Sequence, residues 1–200
     1  FKHFGGDAMA VQHGSKNNLI DNCTFYDISS NAIRIGNFYD WSYETTIANE
    51  LITESNQVTN NTIYNCANEY YSSVGVLLGF VRNTKVENNN IYNLPYSGIS
   101  MGWRWDNNPT ISGGNVIKNN TVNNVLNYLC DGGGIYNLGS HNPQSSIINN
   151  NICNIPANKT GYGAGIRTGI YLDQGSNGIT VNGNTCKQIF THNNFPSEGE

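Results

Sequence analysis

The sequence predicts an all-β protein, a right-handed parallel β-helix (a solenoid) of about six coils. Asparagine and glycine are unusually common, at 36 and 22 of the 200 residues, and both residue types favour turns over helices. A nine-residue apolar pattern recurs six times, and a second short apolar segment follows most copies, so each coil contains several short strands. Parallel strands joined by crossovers coil right-handedly in nearly all proteins, which gives the predicted hand.

The nine-residue repeat sets the size of one coil. Its six copies align without gaps and start at Ile20, Val58, Val86, Ile117, Ile147 and Val181. Successive starts are 38, 28, 31, 30 and 34 residues apart, which suits a three-sided coil with loops. We interpret residues 1–200 as a single parallel β-helix segment, and we expect it to be an internal fragment of a longer protein.

Three columns of the aligned repeat are apolar and predict a continuous core. The first column is the aliphatic residue that starts each copy. The sixth column contains Phe25, Ile63, Ile91, Val122, Ile152 and Cys186, and the ninth contains Ile28, Cys66, Leu94, Val125, Ile155 and Ile189. The five cysteines include no C-x-x-C pair, which argues against a zinc site and a tight disulfide framework. We therefore interpret Cys66 and Cys186 as small buried hydrophobic residues.

Two further columns are polar and predict ladders of stacked side chains. The third column contains Asn22, Asn60, Asn88, Asn119, Asn149 and Gly183. The eighth column contains Asp27, Asn65, Asn93, Asn124, Asn154 and Gln188. Stacked amides can hydrogen-bond from coil to coil, as they do in cross-β assemblies, so we expect most of the asparagines to be structural.

The second apolar segment predicts an outer face of the solenoid. In this segment an inward aliphatic residue is followed by a residue that points outward. The outward positions of successive coils are Arg34, Leu77, Ser100, Tyr136 and Tyr171. We expect these side chains to run up one face, about 4.8 Å apart per coil.

Composition limits the classes of partner. Charged residues make up 12% of the chain and the net charge is −4, so no basic patch for nucleic acid or an anionic membrane is predicted. No apolar run approaches the roughly 20 residues that a membrane-spanning helix needs. We expect a monomer with no nucleic-acid or membrane partner, no cofactor and no metal site.

Function is expected where the repeat pattern is broken. Asp131 precedes three consecutive glycines, which implies an unusual backbone or a close approach by a ligand. Asp173 occupies a position where earlier coils have glycine or leucine, and Trp103 and Trp105 flank Arg104 just after an outer strand. Each aspartate could instead be a turn residue that satisfies its own backbone.

Aromatic rings beside paired carboxylates suit a carbohydrate site. Two Asp or Glu groups supply the acid and the base or nucleophile of glycosidic cleavage, and rings stack on sugar C–H faces. Asp131 and Asp173 are therefore the candidate catalytic residues. The candidate substrate-binding residues are Trp103, Trp105, Tyr136, Tyr171 and His192. The two tyrosines could equally form an ordinary aromatic ladder on an outer sheet.

Three ordered motifs also carry a family resemblance. They are NLPYSGISMGW at 93–103, DGGGIYNLG at 131–139 and GIYLDQGS at 169–176. Together they resemble glycoside hydrolase family 141, whose members are right-handed β-helix proteins that act on plant cell-wall glycans. The resemblance runs from about Ser73 to Phe190. It implies a secreted or periplasmic glycosidase of fucosidase or xylanase type, and it maps the catalytic pair to Asp131 and Asp173.

The spacing of the two aspartates leaves open whether they are close enough to act as a catalytic pair. If Gly134 and Gly169 stack, Asp131 and Asp173 are seven extended residues apart, which is more than about 20 Å. The catalytic carboxyls of glycosidases are separated by about 5 to 9.5 Å. Either the glycines fold Asp131 back, or one aspartate has another partner. The reserve carboxylates are Glu54, Glu69 and Asp106.

The sequence leaves open two other functions and the roles of two histidines. His141 and His192 could reach the outer face as substrate ligands, although a histidine in a polar loop is more often simply solvated. A polysaccharide lyase or uronate epimerase would need a Lys or Arg base, or a calcium site built from carboxylates. A non-catalytic carbohydrate-binding solenoid would hold glycans with its tryptophans and tyrosines without cleaving them.

Overall fold

The computed structural model describes residues 1–38, 47–156 and 166–189, and this part of the chain is almost entirely short β-strands. The first six are β1 (Lys2–Phe4), β2 (Met9–Val11), β3 (Leu19–Asp21), β4 (Thr24–Ile28), β5 (Ile33–Ile35) and β6 (Gln57–Thr59). The next six are β7 (Thr62–Cys66), β8 (Val76–Leu78), β9 (Lys85–Glu87), β10 (Asn90–Tyr92), β11 (Ile99–Met101) and β12 (Val116–Lys118). The last described strands are β13 (Thr121–Asn123), β14 (Gly132–Asn137), β15 (Ser140–Ile148), β16 (Asn151–Ile155), β17 (Arg167–Leu172), β18 (Asn177–Asn182) and β19 (Thr185–Ile189).

Every third strand belongs to the same sheet. The first sheet contains β1, β4, β7, β10, β13, β16 and β19, the second β2, β5, β8, β11, β14 and β17, and the third β3, β6, β9, β12, β15 and β18. Neighbouring strands pair in parallel, as β8 pairs with β11 and β11 with β14. Each coil therefore adds one strand to each of three sides, which confirms the predicted parallel β-helix. A short 3₁₀ helix spans Asn49–Leu51, and no helix in the described ranges is long and apolar enough to cross a membrane.

The three apolar columns fill the interior, as predicted. The first, sixth and ninth columns are buried in the first five copies of the repeat. Cys66 is fully buried there, and its burial raises the pKa of the thiol to about 12. The prediction that Cys186 is buried is wrong, because its side chain is exposed. Cys186 pairs in register with Ile152, but it lies in the last described coil, where no further described coil covers it.

The buried asparagine ladder occupies the fourth column of the repeat, one residue after the predicted position. Its members are Asn61, Asn89, Asn120, Asn150 and Asn184. The Nδ2 of each of the first four donates to the Oδ1 of the next asparagine, at 2.9 to 3.0 Å. The same Oδ1 accepts the backbone N–H of the preceding ladder residue. The ladder therefore satisfies buried backbone groups at a bend where no sheet hydrogen bonds are available.

The third and eighth columns share a left-handed backbone, so the prediction that they are ladders is corrected. In the third column φ lies between 51° and 66°, and the side chains are exposed. In the eighth column φ lies between 49° and 58°, with one amide hydrogen bond of 2.7 Å from Asn124 to Asn93. Asparagine and glycine tolerate this conformation better than other residues, which explains why Gly183 can replace asparagine in the third column.

We expect Asn88→Ala to lower the free energy of unfolding by about 1 kcal/mol, because a Cβ without a local hydrogen-bonding group is strained in the left-handed region. Asn88→Gly should leave the stability nearly unchanged, since glycine adopts the φ of 58° observed at Asn88 without strain. Urea unfolding of both variants measures the difference. Equal destabilisation by alanine and glycine would show that the side chain of Asn88, and not its backbone, is what the coil requires.

The predicted outer column of the second sheet is also confirmed. In the strand register, Arg34 aligns with Leu77, and Ser100 aligns with both Leu77 and Tyr136. Tyr136 in turn aligns with Tyr171. A second outer column lies on the first sheet, where the rings of Tyr26, Tyr64 and Tyr92 stack at 5.3 and 5.0 Å.

Candidate active site

A groove of about 390 Å³ crosses the outer surface of the second sheet. Because the strands are parallel, their N-terminal ends all lie on one side of the groove and their C-terminal ends all lie on the other. The floor of the groove is formed by Leu77, Ser100 and Tyr136 of the outer column. The side near the strand starts includes Val74, Tyr96, Leu129, Cys130 and Asp131. The side near the strand ends includes Trp103, Trp105, Leu138 and Asp173.

Asp131 lies directly before β14 and is turned into the groove by the glycines that follow it. Its own φ is 59°, and its carbonyl oxygen accepts a hydrogen bond of 2.6 Å from the Tyr96 hydroxyl. A Cβ on Gly133 would lie 2.7 Å from the carbonyl oxygen of Ile135 and 2.9 Å from the backbone nitrogen of Tyr171. The chain therefore curls tightly at Gly133 and approaches β17, which only glycine allows.

Asp173 lies directly after β17 and is held by donors on two sides. The Tyr136 hydroxyl donates to its Oδ2 at 2.5 Å, and the backbone N–H of Gln174 donates to its Oδ1 at 2.7 Å. Its own backbone N–H continues the sheet by donating to Asn137 at 2.9 Å. These contacts orient the carboxyl group of Asp173 towards the groove.

Tyr171 connects the two aspartates. Burial, followed by the negative charges of Asp173 and Asp131 and by hydrogen bonding with both carboxyl groups, raises the pKa of Tyr171 to about 12. The backbone of β14 approaches Tyr171 at Gly133, and both aspartates line one groove, so the two carboxyls are closer than the roughly 20 Å that extended strands would impose. This geometry agrees with the alternative in which the glycines fold Asp131 back, and the partnership of the two aspartates stays a prediction.

The neighbouring tyrosines are kept protonated by the same environment. Burial raises the pKa of Tyr96 to about 12, followed by the effect of the charge on Asp131. Burial and the hydrogen bond with Asp173 raise the pKa of Tyr136 strongly as well. At neutral pH all three phenols thus remain hydrogen-bond donors around the two carboxylates.

The two tryptophans form the wall of the groove at the strand ends. Gly102, with φ 79°, sends the chain out of β11, and a Cβ there would lie 2.1 Å from the carbonyl oxygen of Leu138. Trp103 is half-buried and packs edge-on against Phe38 at 5.5 Å. Trp105 is 51% exposed, and its ring centroid lies 5.4 Å from that of Trp103. One indole is thus anchored while the other presents apolar surface to solvent beside the groove.

Most of the predicted site residues meet in this groove. Asp131, Asp173, Trp103, Trp105 and Tyr136 line it, and Tyr171 lies directly beside it in edge contact with Tyr136 at 5.5 Å. His192 lies outside the described residues.

The reserve carboxylates do not line the groove. Glu54 pairs with Lys16 at 2.8 Å, and Glu69 is exposed. Asp106 is exposed and pairs with Arg104 at 2.5 Å, and this hydrogen bond is the main reason why its pKa falls to about 2. In the part of the chain that the structure describes, no group of three or more His, Cys, Asp or Glu side chains is arranged to hold a metal ion.

The sequence interpretation assigned no role to several lining residues, and Tyr96 is the most important of them. It supports the backbone of Asp131 and is half-buried against the groove. Tyr96 lies within the NLPYSGISMGW motif at 93–103, which was the available signal, but the motif alone did not assign it a role. Leu129 and Cys130 also line the groove, and their proximity to Asp131 in the sequence was the available signal.

His141 is a buried residue of β15 and does not line the groove, so the idea that it contacts substrate is wrong. Its Nδ1 lies 2.9 Å from the Ser145 hydroxyl, while its Nε2 has no hydrogen-bond partner. Burial lowers the pKa of His141 to about 4, because the charged imidazolium would be desolvated. His141 is therefore a neutral side chain buried in the solenoid.

This burial predicts a specific loss of stability in acid. The pKa of His141 is about 4 in the folded chain and about 6.5 when unfolded, so its contribution is complete above about pH 6.5 and is lost as the pH falls towards 4. Between pH 7 and 4.5 the free energy of unfolding should fall by about 2 to 3 kcal/mol more in the wild type than in His141→Gln. Urea unfolding at both pH values measures this difference. Equal falls in the two proteins would contradict the assignment.

Comparison with known proteins identifies the fold but not the chemistry. A family model described as "Right handed beta helix region" matches residues 1–186, which agrees with the predicted hand. A solved structure titled "Glycoside hydrolase" matches with a TM-score of 0.78 at 21% sequence identity, over 92% of this chain and 34% of that chain. This chain thus spans about a third of that protein's length, and at such identity the similarity shows the fold alone. No curated protein matches.

Proposed function

This chain belongs to the right-handed β-helix family, and we propose that it is a glycoside hydrolase that cleaves plant cell-wall glycans in the groove of the second sheet. Asp131 and Asp173 are the proposed catalytic pair. Fucosidase-like or xylanase-like activity is the expected specificity, because of the resemblance to glycoside hydrolase family 141. A glycan substrate of this kind also favours action outside the cell or in a periplasm.

The position of both carboxyl groups on one groove, beside aromatic rings, carries the proposal. Glycosidases need two carboxyls about 5 to 9.5 Å apart on either side of the scissile bond. Two carboxyls that line one groove of about 390 Å³ are compatible with this range, whereas two groups 20 Å apart would not be. A solved structure of the same fold, named "Glycoside hydrolase" and matched over about a third of its length, supports the same proposal.

The environments of the two aspartates suggest a division of roles. Asp173 is oriented by two donors, from Tyr136 and the Gln174 amide, which suits a carboxylate that acts as nucleophile or base. Asp131 is the proposed acid, and its carboxyl lines the side of the same groove near the strand starts. Trp103 and Trp105 provide flat apolar surface for the sugar rings next to Asp173.

The lining of the groove makes lyase chemistry the weaker alternative. A lyase or epimerase acting on acidic sugars needs a cationic base or a calcium site near the substrate. The groove residues among the described ranges include two aspartates but no Lys or Arg. A non-catalytic binding solenoid would use the same aromatic surface, and only an activity measurement separates it from an enzyme.

The first experiment is an activity screen of the protein on aryl α-L-fucosides, aryl β-xylosides, xylan and pectic fragments. Release of reducing sugar, without an unsaturated product that absorbs in the ultraviolet, is the expected result. An ultraviolet-absorbing product would assign lyase action instead. Binding of a glycan without any cleavage would assign the non-catalytic function.

A further inference from the structure

Three exposed tyrosines lie close to the groove at the strand starts, outside the site described above. Tyr70, Tyr71 and Tyr128 are 55%, 44% and 40% exposed. The ring centroids of Tyr71 and Tyr128 are only 4.7 Å apart, although the two residues lie two coils apart, before β8 and β14. Single exposed aromatics are ordinary, but exposed rings in mutual contact beside a groove are typical of ligand surfaces.

The tyrosine pair is continuous with the groove. Tyr71 directly precedes Ser72, and Tyr128 directly precedes Leu129; both of these neighbours line the groove. The supporting loop is ordered by backbone hydrogen bonds from Tyr128 and Leu129 to the carbonyl oxygen of Pro95, at 3.0 and 2.9 Å. The pair therefore extends the side of the groove that contains Asp131.

The pair lies opposite the tryptophans. Trp103 and Trp105 follow the C-terminal end of β11. Tyr71 and Tyr128 precede the N-terminal ends of β8 and β14. The two aromatic pairs therefore lie at opposite ends of the strands of the second sheet. The groove between the two pairs has a volume of about 390 Å³ and is lined by Asp131 and Asp173. A ligand that contacts both aromatic pairs must therefore pass over Asp131 and Asp173.

We propose that Tyr71 and Tyr128 form a second glycan-binding platform, and that the groove takes an oligosaccharide or polysaccharide chain extended from the tyrosine pair to the tryptophan pair. This inference rests on the proposed function for the nature of its ligand. It narrows the substrate class to chains of several sugars that are cleaved between the two platforms.

The other tyrosine cluster lacks the geometry of a platform. On the first sheet, the rings of Tyr26, Tyr64 and Tyr92 are parallel within 6° and cover one another's faces. The faces between neighbouring rings are covered, and this stack is explained by packing between coils. It therefore provides a matched control site, because Tyr92→Ala removes an outer tyrosine on a different face.

Affinity electrophoresis through gels that contain xylan, arabinoxylan, xyloglucan or rhamnogalacturonan tests the platform without requiring cleavage. The Asp173→Asn variant serves as the non-cleaving background. In this background, Tyr71→Ala combined with Tyr128→Ala should weaken binding of the retarding polysaccharide by about tenfold or more, since ring contacts at a binding surface contribute at least this much when truncated. Tyr92→Ala should leave the binding unchanged.

Two results would overturn the inference. One is full affinity in the variant that combines both tyrosine substitutions with Asp173→Asn, and the other is that no polysaccharide retards the Asp173→Asn variant with both tyrosines intact. Kinetics separate its failure from that of the proposed function. If the chain is a hydrolase with the platform, the double variant raises KM for the polysaccharide and leaves kcat on a short aryl glycoside unchanged. Loss of polysaccharide binding in a protein that cleaves nothing would instead support the platform and reject the hydrolase.

Discussion

Asp131→Asn and Asp173→Asn are each expected to lower the rate of glycan cleavage by at least about 10²- to 10⁴-fold, the range that general acid or base groups contribute. An amide keeps the size of the carboxyl group but can neither transfer a proton nor attack the sugar. Both residues line the groove, and neither is part of the buried core, so the folded state should persist. The substitutions should therefore abolish turnover and preserve glycan binding.

The measurement is the initial rate of sugar release on the substrate found in the activity screen, with circular dichroism to verify folding. Asp21→Asn is a matched control, because Asp21 is an exposed aspartate of the third sheet whose carboxyl contacts Thr59 and Asn60. This control should retain wild-type activity. Undiminished rates in the two groove variants would move the chemistry to other residues.

Asn120→Ala is expected to lower the free energy of unfolding by about 3 kcal/mol, because it removes the middle of the buried ladder. The Asn120 amide accepts from the backbone of Asn89 at 3.0 Å and donates to the carbonyl oxygen of Val86 at 2.9 Å. Alanine leaves both of these buried backbone groups without a partner, at about 1 to 3 kcal/mol each. The bonds to the Asn89 and Asn150 side chains are lost as well.

Chemical denaturation of Asn120→Ala measures this loss. Asn90→Ala is the matched control, since Asn90 lies exposed on the first sheet in the neighbouring coil and should tolerate the change within about 0.5 kcal/mol. Hydrogen exchange at the Asn89 amide should also accelerate in Asn120→Ala. A loss below about 1 kcal/mol would indicate that water or relaxation of the bend satisfies the groups that the ladder now holds.

The core of the solenoid could be predicted from the sequence because alternation and recurrence report directly on which side chains face inward. The assignment of the asparagines could not be made in the same way. Asn88-Asn89 and Asn119-Asn120 place two asparagines in succession, and either one of each pair could form the ladder. Gly183 was the available signal, because glycine can adopt the left-handed backbone but cannot continue an amide ladder.

For the candidate site, too, the sequence pattern identified residues but not the path of the backbone that brings them together. Asp131, Asp173 and the tryptophans were visible because they interrupt the repeat. The path of the backbone between Asp131 and Ile135 was not, because consecutive glycines allow many conformations and only the packed structure selects one. His141 is a similar case, since its surroundings in β15 do not follow the nine-residue repeat and its burial depends on contacts with other coils.

The central claim is that the groove hydrolyses a glycosidic bond with Asp131 and Asp173, and product analysis tests it most directly. Mass spectrometry of the products from the cleaved oligosaccharide distinguishes addition of water from elimination. We predict fragment masses that add up to the substrate plus one water per cleavage, and at least about 10²-fold slower product formation by Asp131→Asn and Asp173→Asn. Fragments that add up to the substrate mass alone, or unchanged products from either variant, would contradict the account.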